Sequence, residues 1–350
     1  SGTDYDLLVY GASPAGLGAA IAAARQGLRV LVAEPLGQIG GMVAGGLSRT
    51  DLGRPETVGG MFREFMDRVV GYYEQHFGPG SRQAKDCLGG QRFGALVALD
   101  ILTEMVQEAG VEVCLRGALS SVEVGENRIE QVTLSGSNGR ARTSASFFVD
   151  ASYEGDLLAA GGCEYRMGRE ARREYEEEYG GHVLWDPKTG RAAEMSTGEG
   201  DRRVQAYCFR LTVTRAPANR LPIERPAGYD ASRYELLKQY LAARPRRLKD
   251  VLLLGPLPNG KWDVNNWGFC WQSMDFIEAN DGYPEGTWEE RRRIAEAHRD
   301  YQWGLLYFLQ NDGAVPSGLR AEVSAFGLCR DEFACRGGWP AGCRRRRSTG

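Results

Sequence analysis

The chain has 350 residues, 42% hydrophobic and 25% charged, with a formal net charge of −3. That is room for two domains or one large discontinuous one, and it excludes a disordered, collagen-like or coiled-coil chain. With no strong net charge there is no field to hold nucleic acid or an anionic membrane surface, so neither is an expected partner. The eight cysteines never fall in C-x-x-C spacing or beside a histidine pair. No metal is therefore expected, and they read as ordinary buried thiols of a reducing, cytoplasmic compartment. Ser1 in place of a methionine leaves open a removed upstream segment and a secreted origin.

Asp6–Tyr10 is a short apolar run ending at Gly11, followed by an alanine-rich helix former from Ala15 to Gln26 that stops at Gly27. Residues 29–33 then form a second strand with Glu34 at its carboxyl end, so the opening is a βαβ unit. The apolar stretch 7–24 is interrupted by Ser13, Pro14 and glycines and has no basic segment before it. It is neither a membrane span nor a signal peptide.

The turn Gly11-Ala-Ser-Pro-Ala-Gly16 is a G-x-G-x-x-G fingerprint with serine at its middle glycine. Gly11 allows the tight turn, and Gly16 lets the helix lie close on the sheet. The freed amides at the helix start face a pyrophosphate, and Pro14 suits the first helical position. Ser13 takes space where the pyrophosphate approaches, but its hydroxyl can donate to a phosphate oxygen. Glu34 stands where a carboxylate accepts from a ribose hydroxyl pair, and its charge disfavours a 2′-phosphate. Dinucleotide binding is the reading, against an ordinary βα turn. Further glycines at Gly37, Gly40, Gly41, Gly45 and Gly46 suit a flavin, whose tricyclic ring needs backbone close by. A nicotinamide-only dehydrogenase, the alternative, does not need them.

These segments resemble the glutathione-reductase-type flavoproteins, and more narrowly the FAD-dependent oxidoreductase family often labelled xanthan lyase-like. Its G-x-[ST]-P-A-G turn matches Gly11–Gly16 with Ser13, Pro14 and Ala15 included. Its G-G-M and G-G-L loop matches Gly40-Gly41-Met42 and Gly45-Gly46-Leu47. Val149–Leu157 is similar to the family's D-A-[ST]-Y-E-G-D-L signature, and the likeness extends to Pro340. The resemblance implies FAD as cofactor and an α/β fold: a Rossmann-like FAD-binding domain with a second α+β substrate-side lobe. It further implies that Ala118, after the third strand, reads the adenine and that Ala151 passes near the pyrophosphate.

Farther along, helical stripes cover 57–76 and 96–106, a strand 111–115 and a hairpin 120–134, with Phe147–Val149 closing the sheet. Both stripes are core, forming a helical insertion near 54–110. The domain expectation is an FAD-binding part over 1–165 and a substrate-side lobe over 166–340, with a polar boundary after Glu170. In that lobe 207–214 reads as a strand and 232–241 as a helix. Thr287–Glu290 is a capping box opening a helix toward Gln310, and its Arg291–Arg293 run reads as a solvated face.

Hydride exchange at flavin N5 needs positioned donors and at most one base, so no nucleophile triad is required. The catalytic candidates are Asp51, Arg169, Asn265 and Asn266. Arg169 would anchor a substrate carboxylate, stabilise reduced flavin, or pair with Glu170 or Glu164; the asparagines would serve the substrate or hold a turn. His76 and His182 read as surface residues. The expected reaction is FAD-dependent hydride transfer with a small organic substrate and an unidentified electron acceptor. The other class considered is a truncated, non-catalytic FAD-binding fragment. In the resembled family Gly337–Pro340 leads into a segment that completes the FAD domain and points a helix N-terminus at the flavin. Here 341–350 reads as a disordered or aberrant tail, with an exposed sheet edge or apolar surface as the consequence.

Overall fold

The computed structural model describes residues 4–136, 139–186, 189 and 191–340. β1 (Tyr5–Tyr10), α1 (Pro14–Ala24) and β2 (Val30–Glu34) form the expected βαβ unit. α1 ends two residues earlier than the composition suggests, because the chain turns at Arg25 and reaches the left-handed Gly27. A single turn, α2 (Gly41–Ala44), follows. The insertion then carries α3 (Gly60–Phe77), α4 (Arg82–Asp86) and α5 (Ala95–Glu108). β3 (Glu112–Leu115), β4 (Ala118–Val124), β5 (Ile129–Gly136) and β6 (Gly139–Asp150) complete a six-stranded sheet ordered β3-β2-β1-β6-β5-β4. β6 runs parallel to β1 at the sheet centre and antiparallel to β5. The final strand is thus far longer than the three residues read from the sequence.

The sheet buries alternate residues on opposite faces. Leu7, Val9, Val30 and Val32 pack with α1, α3 and α5, while Leu8, Tyr10, Leu31 and Ala33 pack with Val132, Leu134 and Leu157. The α3 stripe is as read: Phe65 and Val69 are core, with Val58, Met61 and Tyr72 beside them. Phe147 on central β6 is 73% exposed.

α6 (Asp156–Ala160), α7 (Arg172–Tyr175) and the short ribbon β7 (Trp185–Asp186) with β8 (Arg191–Ala192) lead to a second, antiparallel sheet. It contains β9 (Leu211–Thr214), β10 (Arg220–Leu221), β11 (Leu252–Leu257), β12 (Lys261–Asn266) and β13 (Gly327–Cys329), ordered β10-β13-β9-β12-β11. The strand read at 207–214 is paired only from Leu211. The helix read at 232–241 opens as a 3₁₀ turn and becomes α8 only over Glu235–Ala243. α9 (Trp288–Asn311) and α10 (Ser317–Ser324) finish the layer. The capping box is formed in both directions: Glu290 N donates to Thr287 Oγ1, and Thr287 N donates to the Glu290 carboxylate.

Leu211, Val213, Val264, Leu252 and Leu328 pack against α8, α9 and α10. The alternate residues Thr212, Thr214, Lys261 and Asp263 are also buried, so the sheet's other face is covered and polar. Arg291 corrects the solvated-face reading. It is buried and bonds bidentately to Asp156 of α6, while Arg292 and Arg293 pair with Glu296 and Glu289 on the helix surface. The cysteine reading is corrected too: Cys163 and Cys335 are exposed, and the described cysteines are all free thiols. Cys343 and the expected tail 341–350 lie outside the described residues.

Candidate functional site

The glycine turn is shaped by close backbone approach. A Cβ on Gly11, whose φ is +99°, would lie 2.6 Å from the backbone of Ala151 and Ser152; one on Gly16 would strike the Gly11 carbonyl and sit 2.8 Å from Ala151 Cβ. The β6 exit Asp150–Ser152 can therefore lie directly on the turn, as Ala151 N donating to the Tyr10 carbonyl requires. Ser13 caps α1, its hydroxyl accepting from Gly16 N at 3.2 Å. Pro14 has no amide to satisfy, and the Ala15 amide has no partner among the described residues at an exposed helix start. That helix end is a ready anion site.

Glu34 is buried, and its two oxygens accept from Ala12 N at 2.8 Å and Leu36 N at 2.7 Å. Burial pushes its carboxyl up, against the pull of those two amides. It therefore ties the glycine turn to the chain leaving β2. Gly117 N donates to the Glu34 carbonyl, which sets Ala118 at the start of β4 beside the same strand end.

The second glycine cluster lies alongside. Gly40 N donates to the Ala12 carbonyl, and a Cβ on Gly40 would meet Ala44 and Leu102. Gly41, at φ +48°, passes under the Tyr153 hydroxyl and would bring a Cβ within 3.2 Å of Ser13 Cα; Met42 N donates to that hydroxyl at 2.8 Å. Met42 itself is exposed, and Gly45 caps α2. A Cβ on Gly46 would collide with the Arg210 carbonyl, so this loop runs against the second lobe.

The other candidates lie on separate elements. Asp51 is exposed, close enough to Asp263 to disfavour its ionisation. Asn265 and Asn266 close β12; Asn265 Oδ1 accepts from Asn266 N and Asn266 Oδ1 from Asp275 N, so both hold backbone. Arg169 spends its fork on Asp201, with Nε to Oδ1 at 3.0 Å, rather than on Glu170 or Glu164. These two residues are 32 apart in sequence, which hid the pair. His76 stacks on Tyr72 at the end of α3, and His182 donates its backbone amide to Glu199.

Several polar groups at the junction were not found from the sequence. Arg210 holds the buried Asp263 bidentately. Lys261 reaches Asp331 and buried Glu332 at 2.8 Å each, and Glu332 also accepts from Leu96 N at the start of α5. Glu154 faces Tyr207, Tyr283 and Arg291, and burial raises its carboxyl. His298 is buried on α9, and burial lowers its imidazole below the ordinary value; Nδ1 lies on the Ile294 carbonyl and Nε2 has no partner among the described residues. Its spacing to Tyr301 and Leu305 was the available signal: one inward stripe of a helix. Among the described residues no cluster of metal ligands occurs, and no helix is long and apolar enough to cross a membrane.

The structure of AlpK shares 15% identity, with 75% of this chain aligned to 44% of that one and a TM-score of 0.38. OxyS anhydrotetracycline hydroxylase from Streptomyces rimosus shares 16%, over 74% of this chain and 44% of that one, with a TM-score of 0.37. THI4 from Thermovibrio ammonificans shares 18%, over 46% and 64%, with a TM-score of 0.30. The chain thus spans less than half the length of the first two. A comparison with curated proteins finds no match. The family described as FAD dependent oxidoreductase matches residues 6–349, nearly the whole chain. The cradle above suits that cofactor: glycines where a Cβ would close the turn, and an exposed helix start with a free amide. The chain belongs to the FAD dependent oxidoreductase family.

Proposed function

We propose that this chain oxidises or reduces a small organic substrate, with FAD held along the first sheet and the substrate between the cofactor loop and the second lobe. The observation that carries this reading is the cradle at Gly11–Gly16, where two glycines admit the β6 exit and leave the Ser13-capped helix start open. FAD, when bound, supplies an acceptor or donor of a hydride at N5.

The chain's own residues bind and orient. The Ala15 amide and the Ser13 hydroxyl face the pyrophosphate, and Gly40, Gly41 and Met42 keep the neighbouring backbone close. Glu34 takes the ribose diol through its remaining lone pairs while it keeps Ala12 and Leu36 in place. Ala118 reads the adenine edge, and Ala151 lines the pyrophosphate. Gly45 and Gly46 let the loop lie flat below the second lobe; Asp51 approaches the substrate from the cofactor loop's side, and Asn265 orients the end of β12 through the Asn266 amide. Arg169 and Asn266, committed to Asp201 and Asp275, position backbone. The proposed division is an FAD-binding domain over 1–165 and a substrate-side lobe over 166–340.

The test is an absorbance spectrum of the purified chain before and after FAD addition and desalting. A retained flavin band is expected. A flat spectrum from a chain with an intact circular-dichroism melt overturns the reading.

A further inference from the structure

The polar face of the second sheet contains a row that its own residues do not satisfy. Thr212 of β9, Asp263 of β12 and Gly255 of β11 are direct cross-strand neighbours, so their side-chain positions share one face. Asp263 is 1% exposed and takes the fork of Arg210. Thr212 is fully buried, and its hydroxyl has no partner among the described residues. Over Gly255 lies the guanidinium of Arg49, close enough that a Cβ on Gly255 would collide with Nη1. Arg49 is half-buried and has no hydrogen bond or ion pair to any described residue, although its charge favours the ionised form of Asp263.

Arg49 also stands three residues beyond Gly46, whose backbone touches the Arg210 carbonyl. The row is therefore where the cofactor loop meets the second lobe. Asp51 is nearby and exposed, and Arg92 stands opposite Arg49 across an isolated antiparallel bridge, so the cluster, with Arg49, Arg92 and Arg210 against Asp51 and Asp263, carries one net positive charge. Its capacity lies in direction: Arg210's fork is spent and Arg49's is not. A planar fork of unspent N–H donors in a partly buried place matches a carboxylate in two parallel hydrogen bonds. Arg169, the sequence candidate for that task, has given its fork to Asp201.

We infer that the Arg49 guanidinium, lying over Gly255 in the row Thr212–Asp263–Gly255, is the anchor for the carboxylate of an organic-acid substrate. This rests on the proposed function and names its substrate class.

The experiment is equilibrium dialysis of labelled benzoate, with benzamide as its neutral isostere, against the chain with and without added FAD. FAD affinity is measured in parallel by flavin fluorescence. Saturable benzoate binding is expected, with benzamide at least tenfold weaker. Arg49→Gln lowers benzoate affinity tenfold or more and leaves FAD affinity unchanged, while Arg293→Gln on the α9 surface changes neither. Gly255→Ala, which displaces the guanidinium without removing it, gives a similar loss and decides the matter if Arg49→Gln does not fold. Benzamide binding as tightly as benzoate, or benzoate affinity indifferent to both substitutions, overturns the inference. So does a loss of FAD affinity in Arg49→Gln with benzoate binding intact, which would assign the guanidinium to the cofactor. A chain that binds benzoate through Arg49 but retains no flavin would defeat the proposed function and leave the carboxylate site standing.

Discussion

Two contact regions hold this molecule together by opposite means. At the glycine turn, β6 meets β1 and α1 through missing atoms: Gly11 and Gly16 have no Cβ, and backbone lies against backbone. In the second lobe and where it meets the first the contacts are buried charges: Arg210 with Asp263 and Lys261 with Glu332 inside the lobe, and Arg291 with Asp156 across to α6. The first arrangement tolerates no added volume. The second tolerates volume but no unpaired charge, because a buried ion that loses its partner keeps the full cost of desolvation.

The largest effect is expected at the turn. Gly16→Val places its Cβ against the Gly11 carbonyl and Ala151, and overpacking a site bounded by backbone is expected to cost about 3 kcal/mol or more. A thermal melt and the loss of bound flavin would register it; a variant with wild-type melt and flavin content would refute the close-approach account. Next is the junction. Asp156→Ala leaves Arg291 buried without its bidentate partner, with the Tyr283 and Pro284 carbonyls and the charge of nearby Glu154 remaining, and should cost about 3 kcal/mol in urea unfolding. The double variant Asp156→Leu with Arg291→Met should recover most of that. If the double variant is no better than the single one, the loss is not one of unpaired charge.

Smaller effects sharpen the picture. Ser13→Ala removes the α1 cap and should cost about 1 kcal/mol, with weaker FAD retention on desalting. The weakest is a surface tie between α1 and α3, where Glu64 pairs with Arg25 and Arg68. Arg25 first, and Arg68 after it, pull the Glu64 carboxyl down from its ordinary 4.5 to about 2. A lowered carboxyl stabilises the fold above its ordinary range and loses that contribution as pH falls through the folded value. Glu64→Gln should therefore cost about 0.5 kcal/mol near neutral pH. Urea titrations of both proteins should converge as pH drops from about 4.5 toward 2. A difference that persists at the acid end would mean packing, not charge, is at work.

The contrast explains what could be read in advance. The βαβ unit, the Ser13 cap and the capping box at Thr287 each depend on residues a few positions apart, and their signals are written in the chain. Arg291 misled for the same reason: next to two other arginines it looks like a solvated face, while its partner lies 135 residues away. The pairs Arg169 with Asp201 and Lys261 with Glu332 were hidden likewise. The cofactor-site glycines were found by motif, but the place of Arg49 was not, because it depends on the absence of a side chain at Gly255 on distant β11.

Glycine, proline and capping residues act through local backbone geometry, so the family, the cofactor-binding strand–turn–helix and the five longest helices were legible in the chain, while the short α2, α4, α6, α7 and α10 were not. Which charges are spent and which are left over depends on contacts between distant parts of the chain. An arginine's role is set by what lies within hydrogen-bond reach after distant strands have paired, and here that pairing satisfied Arg169, Arg210 and Arg291 and left Arg49 with its fork open.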